Sequence, residues 1–374
     1  MSTVDPVAVG INDIAVYLPS LRMDINNLVR RRIEEDLSLK PSLMRALEYT
    51  CQKTVRFPAW WEDCVTMAAQ SALQLLKRSV LSLDDLRYLS VGTETTVDLS
   101  KPVAAYVEGM LTKAGFSVPE EISTFQVQHA CAGGMISLLS VIALLSVNNR
   151  PAESGLVICS DVARYEVAST AEITQGAGSV GMSVCLNPQL LEIDVATAGY
   201  SSKDVDDFFR PVGSKTAQVK GGLSLRCYKQ AIRQALSDHC MRSGRDPRDA
   251  LVCADAFALH SPFKTLPIEA MTELVGQHVG LSAEESRAFL SERDLDASID
   301  PVCQVGNIYS GSMFLGLAVA LWKRFQRLGH DIIGREVLLF SYGSGNTAVV
   351  VAGKVAVEAP DVIRSWSLDE MLGQ

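Results

Sequence analysis

Basic excess is absent from this chain: 34 Lys and Arg residues stand against 43 Asp and Glu, a formal charge of −9. No Lys- or Arg-rich block offsets that balance, which argues against nucleic acid as the main partner. The nine cysteines include no CxxC pair, so neither a zinc site nor a secreted disulfide framework is indicated. The N-terminal MSTVDPVAVG has neither a basic n-region nor an apolar h-region, and the expectation is no signal peptide and a cytoplasmic address. The apolar run from Met135 to Val147 covers 13 residues, short of the roughly 20 that a membrane span needs. No phosphate loop of the GxxxxGK type occurs. The one GxGxxG match, GAGSVG from Gly176 to Gly181, follows polar Thr174-Gln175 and runs into strand-like Met182-Ser183-Val184. A dinucleotide loop follows a strand and opens a helix, so this match reads as chance. What remains is 374 residues, 48% hydrophobic, enough for two domains or one large duplicated one.

The organising stretch is TFQVQHACAGGMISLLSVIALL, Thr124 to Leu145. Phe125 to Gln128 alternates as a strand does, and the charge-free run from Met135 predicts a buried helix. Cys131 then sits at a strand-to-helix junction, where unpaired helix amides would stabilise a thiolate. Gly133 and Gly134 would let an acyl chain approach the sulfur. The competing reading is one more buried cysteine.

Strands and helices alternate along the rest of the chain. Val9 to Tyr17 predicts a strand, and Asp24 to Glu48 has helical spacing with mixed charge. The aromatic cluster VRFPAWWED, Val55 to Asp63, reads as a packing corner rather than a substrate entrance. A helix over Cys64 to Arg78 leads to a buried strand, Leu86 to Gly92, which delivers Glu94. Gly155 to Cys159 is a further strand, ending at Ser160-Asp161. From Leu190 the order repeats: helix Leu223 to Met241, then strand Leu251 to Leu259 delivering His260. Strand-like Val302 to Val305 leads through Gly306-Asn307 into helix Ser312 to Phe325. Val337 to Phe340, a turn at SYGSG and Thr347 to Ala352 close the sheet. Two βαβαβ halves, residues 1–188 and 189–374, would gather these ends around one cleft.

Each polar position has a plain alternative. Glu94 also reads as an exposed turn carboxylate, His260 as a hydrogen-bonded structural histidine, and Asn307 as an N-cap. Ser344 lies in what is most simply a tight turn. His129 is read as structural.

Taken together, ACAGG around Cys131, VGTETTVD around Glu94, HSPF from His260, GNIYSGSMFLGL from Gly306 and FSYGSG from Phe340 resemble the 3-hydroxy-3-methylglutaryl-CoA synthase family. SDVARYEVASTAEITQGAGSVGM from Ser160, and DDFFRPVG from Asp206 with LSLRCY after it, resemble its bacterial members. The resemblance runs from Val9 to Val351. It implies an α/β fold of thiolase type, five layers αβαβα from two related halves, in a homodimer. It implies an acetyl group carried on Cys131, an oxyanion site from the amides of Cys131 and Ser344, and Glu94 as the base for the acetyl methyl. His260 and Asn307 would polarise the acceptor ketone. No cofactor or metal is implied; acetyl-CoA and acetoacetyl-CoA, or acyl carrier protein thioesters, are the implied substrates.

Three departures bear on substrate choice. Ala132 replaces a tyrosine common after the nucleophile, which predicts a wider acyl pocket. Ile173 stands in AEITQGAG where proline is usual. Thr265 replaces a frequent lysine, with Lys264 one place earlier, leaving the contact to a CoA phosphate open. The alternatives are the β-branching synthase of polyketide assembly and a decarboxylating 3-oxoacyl-ACP synthase III. The latter makes its carbanion without a base and gives Glu94 no task.

Overall fold

The computed structural model describes residues 7–78 and 82–373. Most of the segment read for a signal peptide lies outside them. In chain order the elements that position the site are β1 (Val9–Tyr17), α1 (Cys64–Arg78), β2 (Leu86–Gly92), α2 (Val103–Lys113), β3 (Ser123–Val127), α3 (Gly133–Asn148), β4 (Ser154–Val162) and β5 (Ala177–Leu186). They continue with β6 (Leu191–Ile193), β7 (Gly199–Ser202), α4 (Gly221–Ser243), β8 (Ala254–Leu259), α5 (Thr265–Val279), α6 (Gly311–Leu328), β9 (Glu336–Gly343) and β10 (Thr347–Val355).

One wing of the sheet runs β3-β2-β4-β5-β1 and the other β8-β9-β10-β7, with β6 bridging β10 and β1. Each wing has a parallel central pairing, β2 with β4 and β8 with β9, and β2 also pairs with β3 in parallel. β4 with β5 and β9 with β10 are antiparallel, as are β5 with β1 and β10 with β7. The order of strands is therefore the same in both wings, except that among the described residues the second shows no counterpart of β3.

Side-chain alternation makes the layers. Along β4, Leu156 and Ile158 face the core beneath α1 and α2, while Val157 and Cys159 face α3. Along β8, Phe257 and Leu259 face α4 and α5, while Ala256 and Ala258 face α6. A strand buried on both faces loses the polar half of the usual pattern, so these segments read as continuous apolar runs. Helices α3 and α6 fill the space between the wings, through Leu138, Ile142, Phe314 and Leu317 in one shared core. The result is helix, sheet, helix, sheet, helix: a thiolase-like five-layered fold.

Several expectations change. Ala130–Asn148 is a 19-residue stretch with mean hydropathy 2.2, long and apolar enough to pass for a span, but it is the central helix of this core. Val302–Val305 is a helical turn, not a strand. Its carbonyls are taken by a segment distant in sequence, Gln52 Nε2 to Val302 at 2.8 Å and the Lys53 amide to Cys303 at 2.8 Å, which leaves no free edge for pairing. The first residues of Leu251 to Leu259 are also helical, because Asp246 caps and Pro247 starts the helix Pro247–Cys253. Trp60 and Trp61 pack edge-on against each other but are 92% and 62% exposed, so they form no buried corner.

Candidate active site

Cys131 and Glu94 meet because two backbones approach without side chains between them. A Cβ on Gly92 would lie 2.4 Å from the Gly134 nitrogen, and one on Gly134 would lie 2.2 Å from Cys159 Sγ. Strand β2 thus packs directly on the first turn of α3. The space at Gly133 and Gly134 is filled by protein, not left open for an acyl chain. Ala130 takes φ 42°, a left-handed conformation that turns the chain sharply before the nucleophile position. Cys131 is buried and its Sγ donates to Glu94 Oε1 at 3.5 Å.

The Glu94 side chain is only 6% exposed, not that of an exposed turn residue. Its backbone nitrogen donates to Asp161 Oδ1 at 3.0 Å, and Thr93 and Thr95 hydroxyls donate to the same oxygen at 2.8 Å each. Ser310 Oγ donates to the other carboxylate oxygen at 3.1 Å. Asp161 therefore fastens the Glu94 turn to α6. On its far side Glu94 Oε2 accepts from Arg210 Nη2 at 3.3 Å. Burial, and then the Asp161 carboxylate, push Glu94 up to about 8, while Arg210 and the Cys131 thiol pull the other way. Burial also pushes Asp161 up to about 6, against the donors that surround it.

These same groups correct the expected thiolate. Burial, and then the facing Glu94 and Asp161 carboxylates, raise the Cys131 thiol well above the usual range. Cys131 is therefore a thiol hydrogen-bonded to the Glu94 carboxyl, in place of a free thiolate held by helix amides.

His260 follows β8 and is 3% exposed. Its Nδ1 lies 2.9 Å from Ser312 Oγ, which also receives the Ser261 amide at 3.3 Å and approaches the Tyr309 carbonyl at 3.0 Å. Burial pushes His260 down to about 3, which favours a neutral ring. Asn307 is not the cap of α6, which begins at Gly311 after Ser310. Its Oδ1 accepts the Tyr309 amide at 2.9 Å and its Nδ2 donates to Tyr165 Oη at 3.2 Å. Tyr309, at φ 49°, joins Tyr165 and Cys131 in one buried cluster, with Phe208 packed against it. Ser344 follows Gly343, where a Cβ would fall 2.5 Å from the His129 carbonyl and 2.8 Å from the Ala132 nitrogen. The SYGSG hairpin is therefore seated on the Cys131 turn through backbone contact.

Among the described residues, Glu94 alone hydrogen-bonds to the Cys131 thiol; His260, Asn307 and Ser344 join the same site through Ser312, Tyr309 and Gly343. Ala132 is fully buried against Gly343, so its small side chain opens no pocket. Lys264 pairs with Asp300 at 2.6 Å and Thr265 donates to the Tyr49 carbonyl at 2.8 Å; neither presents a free cation. Asp161, Arg210, Tyr165 and Tyr309 were missed as site residues. Asp161 had a visible signal, a polar residue ending an apolar strand as Glu94 does; the other three are brought in only by tertiary packing. A cavity of about 740 Å³ lies at the opposite end of α3, beside Ser146, Asn149 and His239.

Comparisons with known proteins place this geometry. A profile for the N-terminal part of hydroxymethylglutaryl-coenzyme A synthase matches residues 5–189. The chain is 29% identical to the hydroxymethylglutaryl-CoA synthase of Enterococcus faecalis, covering 93% of this chain and 83% of that one. It is similar to a solved structure of MvaS in complex with 3-hydroxy-3-methylglutaryl coenzyme A, at 30% identity and TM-score 0.85, over 98% of this chain and 88% of that one. It is also similar to the HMG synthase of the curacin biosynthetic pathway solved with acetyl donor-ACP, at 25% identity and TM-score 0.84, over 98% and 84% of the two chains.

Proposed function

This chain belongs to the hydroxymethylglutaryl-CoA synthase family, and from that premise we propose how its own residues carry out the condensation. Cys131 attacks the carbonyl of an acetyl thioester, its proton passing to Glu94 and then to the departing thiol. The acetyl group stays on sulfur, its oxygen facing the amides of Cys131 and Ser344. Glu94 then takes a proton from the acetyl methyl, and the carbon attacks the ketone of an acetoacetyl thioester. Asn307 and the neutral His260 hold that ketone oxygen, and Glu94 returns its proton to the new alkoxide. Water cleaves the bond to Cys131 and releases a 3-hydroxy-3-methylglutaryl thioester with a free carboxylate.

The observation that carries this reading is the contact between Cys131 Sγ and Glu94 Oε1 at 3.5 Å. A carboxylate held at the nucleophile is what enolisation requires and what decarboxylative condensation does not. The substrates are thioesters of coenzyme A; the similarity to an ACP-bound synthase keeps carrier-protein thioesters as the second reading. The two wings are read as halves, residues 1–188 and 189–374, and the assembly as a cytoplasmic homodimer. The test is product formation from acetyl-CoA with acetoacetyl-CoA, then with acetoacetyl carrier protein. Turnover with either acceptor supports the reaction and its preference names the carrier. Malonyl-dependent turnover with release of carbon dioxide, and none with acetyl thioesters, would refute it.

A further inference from the structure

The DDFFRPVG segment packs over the site as a strap rooted at both ends. The Asp207 carboxylate, fully buried, accepts from Tyr342 Oη at 2.7 Å and from the Gly345 amide at 2.9 Å, on either side of Ser344. The Lys220 amide returns to the Asp207 carbonyl at 2.8 Å. Between them, Phe208–Phe209 pairs with Gln218–Val219 as a short ribbon. Phe208 packs edge-on against Tyr165 at 6.3 Å and Tyr309 at 6.0 Å between ring centres. Arg210 then reaches down to Glu94, donating to both its Oε2 and its backbone carbonyl.

We propose that Arg210 is a positioning residue for the base: by holding Oε2 it leaves Oε1, the oxygen at Cys131, as the atom that moves protons. The inference rests on the reading of Glu94 as the base. The titratable groups facing Glu94 are Cys131, Asp161, Tyr165, Tyr309 and Arg210, and Arg210 is the only cation among them. Two buried carboxylates share this site, and a protonated Glu94 cannot accept a methyl proton. Arg210 offsets part of that penalty with a guanidinium that is itself only 14% exposed. A single nitrogen, Nη2, donates both to Oε2 and to the carbonyl behind it, which ties the Glu94 side chain to its own backbone and restricts its rotamer.

The experiment measures exchange of the acetyl methyl hydrogens with deuterated solvent between pH 6 and 10, on full-length enzyme with Cys131 loaded from acetyl-CoA or acetyl carrier protein, whichever charges it. Exchange reports proton removal alone and needs no acceptor. In Arg210→Met and Arg210→Gln the midpoint of the ascending limb moves up by about one pH unit or more, with exchange at pH 7 down about tenfold. Arg210→Lys recovers part of the shift. A limb that keeps its midpoint in the folded Gln or Met variant, with exchange lowered equally at every pH, overturns the proposal and leaves a packing role. Glu94→Gln separates the two layers. If it abolishes the limb that Arg210→Gln leaves in place, the base reading stands and the Arg210 proposal falls. If exchange ignores Glu94→Gln, both fall.

Discussion

Cys131 Sγ donates to Glu94 Oε1 across 3.5 Å, and neither group carries its ordinary proton affinity. A thiol raised by burial needs a nearby acceptor to attack a thioester, and Glu94 is placed to serve acyl transfer as well as enolisation. Incubation with acetyl-CoA or acetyl carrier protein followed by peptide mass spectrometry should find one acetyl group, on Cys131. Stable labelling of another cysteine, with Cys131→Ser still active, would contradict this.

Glu94→Gln keeps the shape but accepts no proton. Acetyl transfer should survive at reduced rate, while carbon–carbon bond formation falls by about 10²–10⁴-fold, the usual worth of a placed acid–base group. Rapid-quench assays of acetyl-enzyme and of product measure the two steps separately; an equal loss in both would deny Glu94 its role in the second.

The pH dependence follows from the raised base. As the proposed base Glu94 works in its ionised form, and burial pushes it up to about 8, so condensation should climb between pH 6 and 9 and level off above that. Removing the neighbouring like charge with Asp161→Asn should move that limb to lower pH, since Asp161 is a cause of the rise. A limb that stays put or moves upward in Asp161→Asn counts against this electrostatic account.

Asn307→Ala removes an amide that bonds Tyr165 and the Tyr309 amide. With one donor to the acceptor oxygen gone, condensation should drop by about 10²–10³-fold. Acetyl-enzyme should still form. Unchanged condensation would remove Asn307 from the oxygen-binding set.

The legible part of this chain is what local pattern decides. Val9–Tyr17, Cys64–Arg78 and Leu86–Gly92 fall where period and breakers put them. Val302–Val305 misled because a short apolar run looks the same as a strand or as a buried turn; the neighbouring Gln52–Thr54 segment decided it by capturing the carbonyls. In the site, residues at strand ends announced themselves, Glu94 and His260 among them. Arg210 and Tyr309 did not, because a strap and a left-handed turn acquire meaning only when distant segments close over them. The glycines were seen but misassigned: Gly133 and Gly134 pack against strands and against α6, a fact no linear pattern contains.

That packing gives a last test, which separates space from chemistry. At Gly92 an added Cβ would meet backbone, the Gly134 nitrogen at 2.4 Å and the Gly133 carbonyl carbon at 2.5 Å, and backbone cannot swing aside as a side chain can. Gly92→Ala must therefore push β2 away from α3, at a cost of about 1–3 kcal/mol or more. The displacement carries Glu94, two residues on, away from Cys131. Gly109→Ala is the control: it lies inside α2 with nothing beyond its own helix backbone within 4 Å of the added carbon, and should gain about 0.5–1 kcal/mol from the helix preference alone. Chemical denaturation and acetyl-enzyme formation, measured on both variants, should show stability and acylation falling together in Gly92→Ala and neither falling in Gly109→Ala. A Gly92→Ala enzyme with wild-type stability and wild-type acylation would mean that the approach of these two backbones does not set the Cys131–Glu94 distance.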